Sequence, residues 1–172
     1  MMTPRQFVEG IIRPANEALG LSSAEAEQIM LGTALQESGL RNIPQEHGPA
    51  LGYFQDEPED FNDLFKNFLE YQPTLEERLL SLLPAHIMPS SADLIPYPIF
   101  AAGVCRLHYK RAPGALPLTL EEQAAYYKQH YNTAGGAATT QEYLTKWNSI
   151  VGVDAIENWA ALMPTSAPSY GV

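Results

Sequence analysis

The sequence predicts an all-α fold, a single domain of seven or eight helices joined by short loops. Three observations lead to this prediction: helix-capping patterns recur along the chain, apolar residues repeat at helical spacing, and no segment alternates convincingly between apolar and polar residues. The chain has 172 residues, 45% of them hydrophobic, which suits one globular domain with its own core. We expect this domain to span residues 1–163 and the Pro- and Ser-rich residues 164–172 to form a loose tail.

Capping boxes mark five expected helix starts. In this pattern a Ser or Thr is followed three residues later by Glu or Gln, and each side chain bonds a backbone N–H of the other residue. The matching pairs are Thr3 with Gln6, Ser22 with Glu25, Thr74 with Glu77, Thr119 with Glu122, and Thr139 with Glu142. Within the first of these helices Pro14 lacks a backbone N–H, so it predicts a break or kink near Arg13.

Apolar residues recur at the spacing of one helix face in three further segments. These stripes lie within residues 61–69, 75–83 and 143–151, and the third includes Ile150. Residues 99–109 are apolar almost all round, which is typical of a central, buried helix. The tyrosines and tryptophan at helical spacing in residues 126–147 are expected mainly in the core, with at most two exposed to stack on a ligand.

Composition excludes several classes of function. The single cysteine, Cys105, rules out an intramolecular disulfide and a zinc site of several cysteines, and the four histidines show no metal-ligand spacing. We therefore expect no cofactor and no metal. The balance of 10 Lys+Arg against 20 Asp+Glu gives a net charge of −10, which argues against a nucleic-acid partner. The longest near-apolar run contains Pro96 and Pro98 and is too short for a membrane span, and the N-terminus shows no secretory signal pattern.

Glu37 is the strongest candidate for a reactive side chain. It lies in the last turn of a predicted helix over residues 22–39, on or beside the face of Met30 and Ala34, and Gly39 can end that helix in a left-handed conformation. Apolar surroundings and the negative end of the helix dipole both raise the pKa of a carboxyl group. A carboxylic acid that stays protonated near neutral pH is what cleavage at a glycosidic oxygen requires. The alternative is a solvated side chain or an ion-pair partner of Arg41.

The residues that follow Glu37 carry a resemblance to a known family. Residues 34–41 read Ala-Leu-Gln-Glu-Ser-Gly-Leu-Arg, and residues 48–55 read Gly-Pro-Ala-Leu-Gly-Tyr-Phe-Gln. This resembles the soluble lytic transglycosylases and goose-type lysozymes of the lysozyme-like superfamily, in which a Glu-Ser pair ends a helix and Gly-Ala-x-Gly-Leu-Met-Gln follows. The matching residues are Glu37, Ser38, Ala50, Gly52 and Gln55.

A second segment matches downstream. Residues 126–136 read Tyr-Tyr-Lys-Gln-His-Tyr-Asn-Thr-Ala-Gly-Gly, which resembles the Ala-Tyr-Asn-Ala-Gly segment of the same family through Tyr131 and Asn132. The resemblance covers roughly residues 22–147. The sequence departs from the pattern where Tyr53 and Phe54 replace Leu-Met, where Pro49 stands at the first Gly, and where an extra residue precedes Gly135. These departures fit a divergent branch, such as one carried by a bacteriophage.

The resemblance implies a lysozyme-like fold and a peptidoglycan-cleaving activity. Glu37 would be the general acid and then the general base at the bond between N-acetylmuramic acid and N-acetylglucosamine. Gln55 would hydrogen-bond the sugar, and Tyr131 would hydrogen-bond Glu37 or the N-acetyl group, with Asn132 as a further substrate-binding residue. Ser38 would orient the substrate, or it is simply a polar residue at a helix end.

The resemblance leaves the acceptor of the cleaved sugar open. In transglycosylases it is the C6 hydroxyl of the muramic acid itself, and in lysozymes it is water, aided by a second carboxylate. The sequence near the motif offers several acidic residues and selects none: Glu46, Asp56, Glu57, Glu59 and Asp60. Asp56 is equally suited to cap the helix expected to start near Pro58. His130 either lines the cleft or lies on the surface.

Net charge bears on the partners and the location. Peptidoglycan and its attached polymers are largely anionic, so a charge of −10 opposes electrostatic steering of the free chain to the wall. We therefore expect delivery by a larger complex, with glycan strands and other virion or tail proteins as partners. The expected location is the virion, or the host cytoplasm before assembly. Two alternatives stay open, a structural virion protein that has lost the activity and a generic helical interaction module.

Overall fold

The structure is built from helices, which confirms the predicted all-α class. The computed structural model describes residues 2–132, 136–152 and 154–162, and the tail predicted at residues 164–172 lies outside them. The described residues hold two isolated β-bridges and the following helical segments: α1 (Pro4–Phe7), α2 (Arg13–Leu19), α3 (Ala24–Glu37), α4 (Pro58–Asn67), α5 (Pro73–Leu80), α6 (Pro98–Arg111), α7 (Leu120–Tyr127), α8 (Thr140–Ile150) and α9 (Trp159–Leu162).

Two wider helical turns extend these segments. A π-helical segment, Val8–Ile12, joins α1 to α2, and a second, Lys128–Asn132, continues α7. The first lies just before Pro14, at the point where the backbone N–H of Arg13 bonds the carbonyl of Val8. The helix is therefore not broken at Pro14: the wide turn lets the chain continue although proline cannot donate.

Helix starts follow the capping prediction at three of the five pairs. Complete capping boxes begin α1 at Thr3, α7 at Thr119 and α8 at Thr139. The prediction is wrong by one residue at α3, where Ser23 is the cap and accepts from the N–H of Ala26. It is also wrong at α5, which begins at Pro73 because proline is pre-organised for the first helical position.

The core centres on α6, as its all-round apolar character predicts. This helix contacts α2, α3, α4 and α5 and buries nine of its residues. Helix α8 packs on α3 and α7, and Tyr143 approaches so closely that a Cβ at residue 32 would lie 1.8 Å from its hydroxyl oxygen, which explains Gly32. Tyr127, Tyr143 and Trp147 are buried, whereas Ile150 is 49% exposed and does not join the predicted stripe.

The segment between α3 and α4 contains no regular helix or strand. Two antiparallel bridges, Pro44 with Leu51 and Leu51 with Asp56, fold residues 43–56 back on themselves. Phe54 is buried, and Tyr53 packs edge-on against Phe7 with ring centroids 4.8 Å apart. Tyr53 and Phe54 thus fasten this segment to the core.

None of the helices in the part of the chain that the structure describes has the length and apolar character needed to cross a bilayer. Cys105 is buried within α6.

Candidate active site

An open cleft of about 780 Å³ lies where α3, α6 and α7 end and α4 begins. Four residues predicted for the site from the sequence line it together: Glu37, Gln55, Tyr131 and Asn132. They come from three separate parts of the chain. The packing of α7 against α3 brings two of these parts together, and the hydroxyl of Tyr131 donates to the carbonyl of Phe54, next to Gln55. Ser38, the fifth predicted residue, is not among the lining residues.

Glu37 is the last residue of α3 and is half-buried in the wall of the cleft. The helix ends here because Gly39 adopts φ +61°, a left-handed conformation, and its N–H bonds the carbonyl of Leu35 at 3.2 Å. Burial raises the pKa of the Glu37 carboxyl, while a hydrogen bond from Tyr127 and the charge of Lys146 lower it. Burial is the largest of these influences, so the protonated form persists to higher pH than in an exposed glutamate.

The tyrosine bonded to Glu37 is Tyr127, which corrects one of the two roles predicted for Tyr131, the bond to Glu37. The hydroxyl of Tyr127 donates to Glu37 Oε1 at 2.5 Å, whereas that of Tyr131 donates to the carbonyl of Phe54 at 2.9 Å. Burial and the charge of Glu37 raise the pKa of Tyr127, so its hydroxyl keeps the proton that it donates. The two rings stack 6.1 Å apart. Both tyrosines belong to the same sequence motif. Which of them faces Glu37 depends on how the π-helical segment turns the backbone between them, and the sequence pattern does not show this.

Of the two roles predicted for Ser38, substrate orientation or a polar residue at a helix end, the contacts of Ser38 fit the second. Its side chain is buried, its hydroxyl donates to the carbonyl of Tyr53 at 2.7 Å, and its oxygen accepts from the N–H of Arg41 at 3.2 Å. These bonds tie the end of α3 to residues 43–56. Ser38 therefore fixes the position of Glu37 relative to residues 43–56, although it does not itself line the cleft.

Gln55 and Asn132 face the cleft with part of each side chain already engaged. The amide nitrogen of Gln55, which has φ +47°, donates to the carbonyls of Ile43 and Gly52 at 2.9 and 2.7 Å. The amide oxygen of Asn132 accepts from Lys128 Nζ at 2.8 Å. Because both amide hydrogens of Gln55 are used, Gln55 can offer an acceptor to a ligand, and Asn132 can offer donors.

Asp56 is a buried carboxylate that the sequence did not single out. It is 6% exposed, and its Oδ1 lies 3.0 Å from Nε2 of His108. Its Oδ2 has no hydrogen-bond partner among the described residues. Asp56 does not cap α4, since the cap residue is Glu57 and makes no side-chain bond. The pairing with His108 joins residues of α6 and a distant loop, so no local pattern reveals it.

Acidic side chains dominate one side of the cleft. We name Asp56, Glu57 and Asp60 the acidic wall, since all three line the cleft at the start of α4. Burial and the nearby charge of Asp56 raise the pKa of Asp60. Asp63 also lines the cleft, but it is paired with Arg111 at 2.5 Å. Of the five acidic residues considered from the sequence, Glu46 and Glu59 do not line the cleft.

His130 lies in the cleft lining and not on the open surface, with its ring 4.4 Å from that of Tyr126. Among the described residues, no group of three or more His, Cys, Asp or Glu is arranged to hold a metal ion. Comparisons with known protein families, with curated proteins and with solved structures find no match.

Proposed function

We propose that this chain is a peptidoglycan-cleaving enzyme of the lytic-transglycosylase type, with Glu37 as its general acid and base. The observation that carries the proposal is that Glu37 lies in an open cleft, with a carboxyl pKa raised by burial, and shares that cleft with Gln55, Tyr131 and Asn132. A side chain directed to bulk solvent on a convex surface could not act on a bound polymer. The resemblance of the two motifs to lysozyme-like enzymes supports the same assignment.

The carboxyl group of Glu37 has its two oxygens in different surroundings. Oε1 accepts the hydroxyl of Tyr127, so the transferable proton resides on Oε2. In the first step Oε2 donates this proton to the oxygen that bridges two sugars, the bond from that oxygen to C1 breaks, and an oxocarbenium-like centre forms. The carboxylate left behind is stabilised by Tyr127 and by the charge of Lys146. It then accepts a proton from the hydroxyl that attacks C1.

The attacking hydroxyl is either the C6 hydroxyl of the same sugar or a water molecule. The first closes an anhydro ring, and the second leaves a reducing end. A water-activating carboxylate has candidates in the acidic wall, so both outcomes are compatible with the lining of the cleft. The distinction is read from the products.

The test is digestion of purified peptidoglycan by the wild-type chain and by Glu37→Gln, with the released fragments identified by mass. The substitution keeps size and the bond to Tyr127 while removing the transferable proton. We expect it to lower the rate at least about a hundredfold, as loss of a general acid does. Glu121→Gln, an exposed acid at the start of α7, is the matched control and should retain full activity.

Equal activity of Glu37→Gln and wild type would exclude Glu37 as the acid. No cleavage by either protein would overturn the enzymatic proposal in favour of a structural role on the virion. Anhydro ends would establish transglycosylase chemistry, and reducing ends would establish a muramidase.

The charge of the chain supports delivery by a larger assembly. At −10 the free chain is repelled by anionic wall polymers over distances of about 10 Å at moderate salt. Attachment to a virion or tail would supply the local concentration that diffusion does not. The proposed location is therefore the virion or its tail.

A further inference from the structure

We infer that Lys128 is a positioning residue of the cleft, which holds the side chain of Asn132 in one orientation so that its amide nitrogen can donate to an oxygen of the bound sugar. Lys128 is not among the residues that line the cleft. The inference rests on the proposed function, because it concerns how the same cleft would recognise its glycan. It gives a role to a residue that the resemblance to lysozyme-like enzymes leaves unassigned.

The ammonium group of Lys128 reaches two oxygens of the segment that follows it. Its Nζ donates to Oδ1 of Asn132 at 2.8 Å and to the carbonyl oxygen of Gly136 at 2.7 Å. Both bonds are part-buried, and within the described residues no salt bridge joins Lys128 to a carboxylate. Hydrogen bonds from a charged donor are shorter and stronger than those between neutral groups. The charge of Lys128 is therefore directed to these two neutral oxygens.

The chemistry of the ammonium group decides which way the amide of Asn132 faces. A lysine ammonium group has N–H donors and no acceptor, so it can bond the oxygen of an amide but not the nitrogen. Because Oδ1 is turned to Lys128, Nδ2 lies on the other branch of the amide and keeps its N–H donors for other partners. In the flipped orientation two donors would face each other. Lys128 therefore selects the orientation that presents donors.

Gly136 restricts the same side chain by its close approach. A Cβ atom at residue 136 would lie 2.3 Å from Oδ1 of Asn132 and 2.4 Å from its backbone oxygen, so a larger residue would displace Asn132. Asn132 and Gly136 both line the cleft. The position of Asn132 at the cleft wall therefore depends on two residues, the lysine that bonds it and the glycine that leaves room for it.

The amide of Asn132 lies beside the pair formed by Glu37 and Tyr127. Burial and the charge of Glu37 raise the pKa of the Tyr127 hydroxyl, and the nearby amide hydrogens of Asn132 lower it. That hydroxyl donates to Oε1 of Glu37. Because Nδ2 carries two hydrogens, it can direct one to Tyr127 and the other to a ligand. A sugar oxygen bound by Asn132 would thus lie next to the proposed acid.

The first experiment follows the side-chain amide of Asn132 by nitrogen–proton NMR in the full chain without ligand. The signal is assigned by its loss in Asn132→Ala. Lys128→Met keeps a long side chain but removes the charge and the donors, so the signal should move toward that of a solvent-exposed asparagine. Lys66→Met, which changes an exposed lysine of α4, is the control and should leave the signal in place. A signal that Lys128→Met does not move overturns the inference.

The second experiment measures binding of the N-acetylglucosamine hexasaccharide by calorimetry, in the full chain carrying Glu37→Gln so that the ligand is not cleaved. We expect Lys128→Met to weaken binding about tenfold, as loss of a charge-assisted hydrogen bond can. Lys128→Arg keeps the charge and the donors, so it should restore most of the affinity. In a chain that already carries Asn132→Ala, Lys128→Met should have almost no further effect, because Lys128 acts through Asn132.

Gly136→Ala keeps the test decisive if circular dichroism shows that Lys128→Met does not fold. It should displace Asn132 and weaken binding by a similar factor, again without further effect in the Asn132→Ala chain. Losses that add across the two positions, as a merely structural role would give, overturn the inference, and so does a hexasaccharide affinity too weak to measure.

Digestion of peptidoglycan decides the proposed function separately. Cleavage by the wild-type chain together with additive losses in binding would reject the role of Lys128 and keep Glu37 as the acid. Coupled losses in a chain whose wild type cleaves nothing would support the role of Lys128 in binding and reject the enzyme.

Discussion

Glu37 sits between opposing influences, and their balance decides what it can do. Burial in the cleft wall favours the neutral acid, whereas the hydroxyl of Tyr127 and the charge of Lys146 favour the anion. A general acid that becomes a base within one reaction cycle needs both forms to be accessible. The hydrogen bond from Tyr127, which is buried and stays protonated, makes the carboxylate form of Glu37 accessible without placing a full charge beside it.

If the proposed function holds, replacing Tyr127 with phenylalanine should change the pH dependence of cleavage. In the wild type the hydrogen bond from Tyr127 stabilises the carboxylate of Glu37. Without it the pKa of Glu37 should rise further, so the fall in activity with rising pH should move to higher pH. The rate itself should drop roughly tenfold, because the carboxylate loses a charge-assisted hydrogen bond. A pH–rate profile measures both effects. Tyr126→Phe is the control, since that hydroxyl reaches the carbonyl of Pro113 and not Glu37. A profile that stays in place or moves to lower pH contradicts this assignment.

Glu37 should also cost the folded protein stability at neutral pH. Its pKa is higher folded than unfolded, so the native chain binds more protons in the window between the two values. Unfolding free energy therefore falls as pH rises through that window. Glu37→Gln lacks this loss, so it should melt above wild type at neutral pH and equal to it at acidic pH, as followed by thermal unfolding. A variant that melts lower at neutral pH would show that the carboxylate is stabilising.

At the scale of the helix, the sequence predicts that a helix begins in a given region better than it predicts the residue at which that helix begins. The boxes at Thr3, Thr119 and Thr139 lie where side chain and backbone need only a local geometry. The box at Thr74 fails because Pro73 occupies the preceding position and begins α5 itself. Local sequence indicates that a helix begins, and competition between neighbouring residues decides where.

This difference between a real and an apparent cap can be measured. Thr139→Ala removes the side chain that accepts from the N–H of Glu142, so the unfolding free energy should fall by about 1 kcal/mol. Thr74→Ala changes an exposed residue inside α5 that makes no cap, and its effect should be close to zero. Urea unfolding of both variants compares them directly. Equal losses would mean that the threonine hydroxyl acts through something other than capping.

At the scale of the molecule, the candidate site combines what was and was not predictable. Glu37, Gln55, Tyr131 and Asn132 could be chosen from two motifs, and all four line the cleft. The bond from Tyr127 and the pairing of Asp56 with His108 could not. Each of these depends on how distant helices are rotated and packed, and no spacing along the chain encodes that rotation.

The charge of the whole chain makes a prediction about wall association. Binding of the Glu37→Gln chain to purified anionic wall polymers should be weak at low salt and should not weaken as salt is added, because screening relieves repulsion. Sedimentation of the polymer with the chain across a salt series measures it. Tight association that salt abolishes would show that the free chain finds such polymers unaided, and delivery by a virion would then be unnecessary.

The π-helical segment Lys128–Asn132 has a consequence for how this chain can evolve. A π turn accommodates one residue more than an α turn, so a gene can gain or lose a single codon here without disturbing the helix that precedes it. Loss of one codon would tighten the wide turn to an ordinary α turn and change which side chains that turn presents to the cleft, while Tyr127 stays against Glu37. The lineage therefore has a short mutational route that exchanges the side chains presented to a ligand and leaves the acid and its tyrosine unchanged.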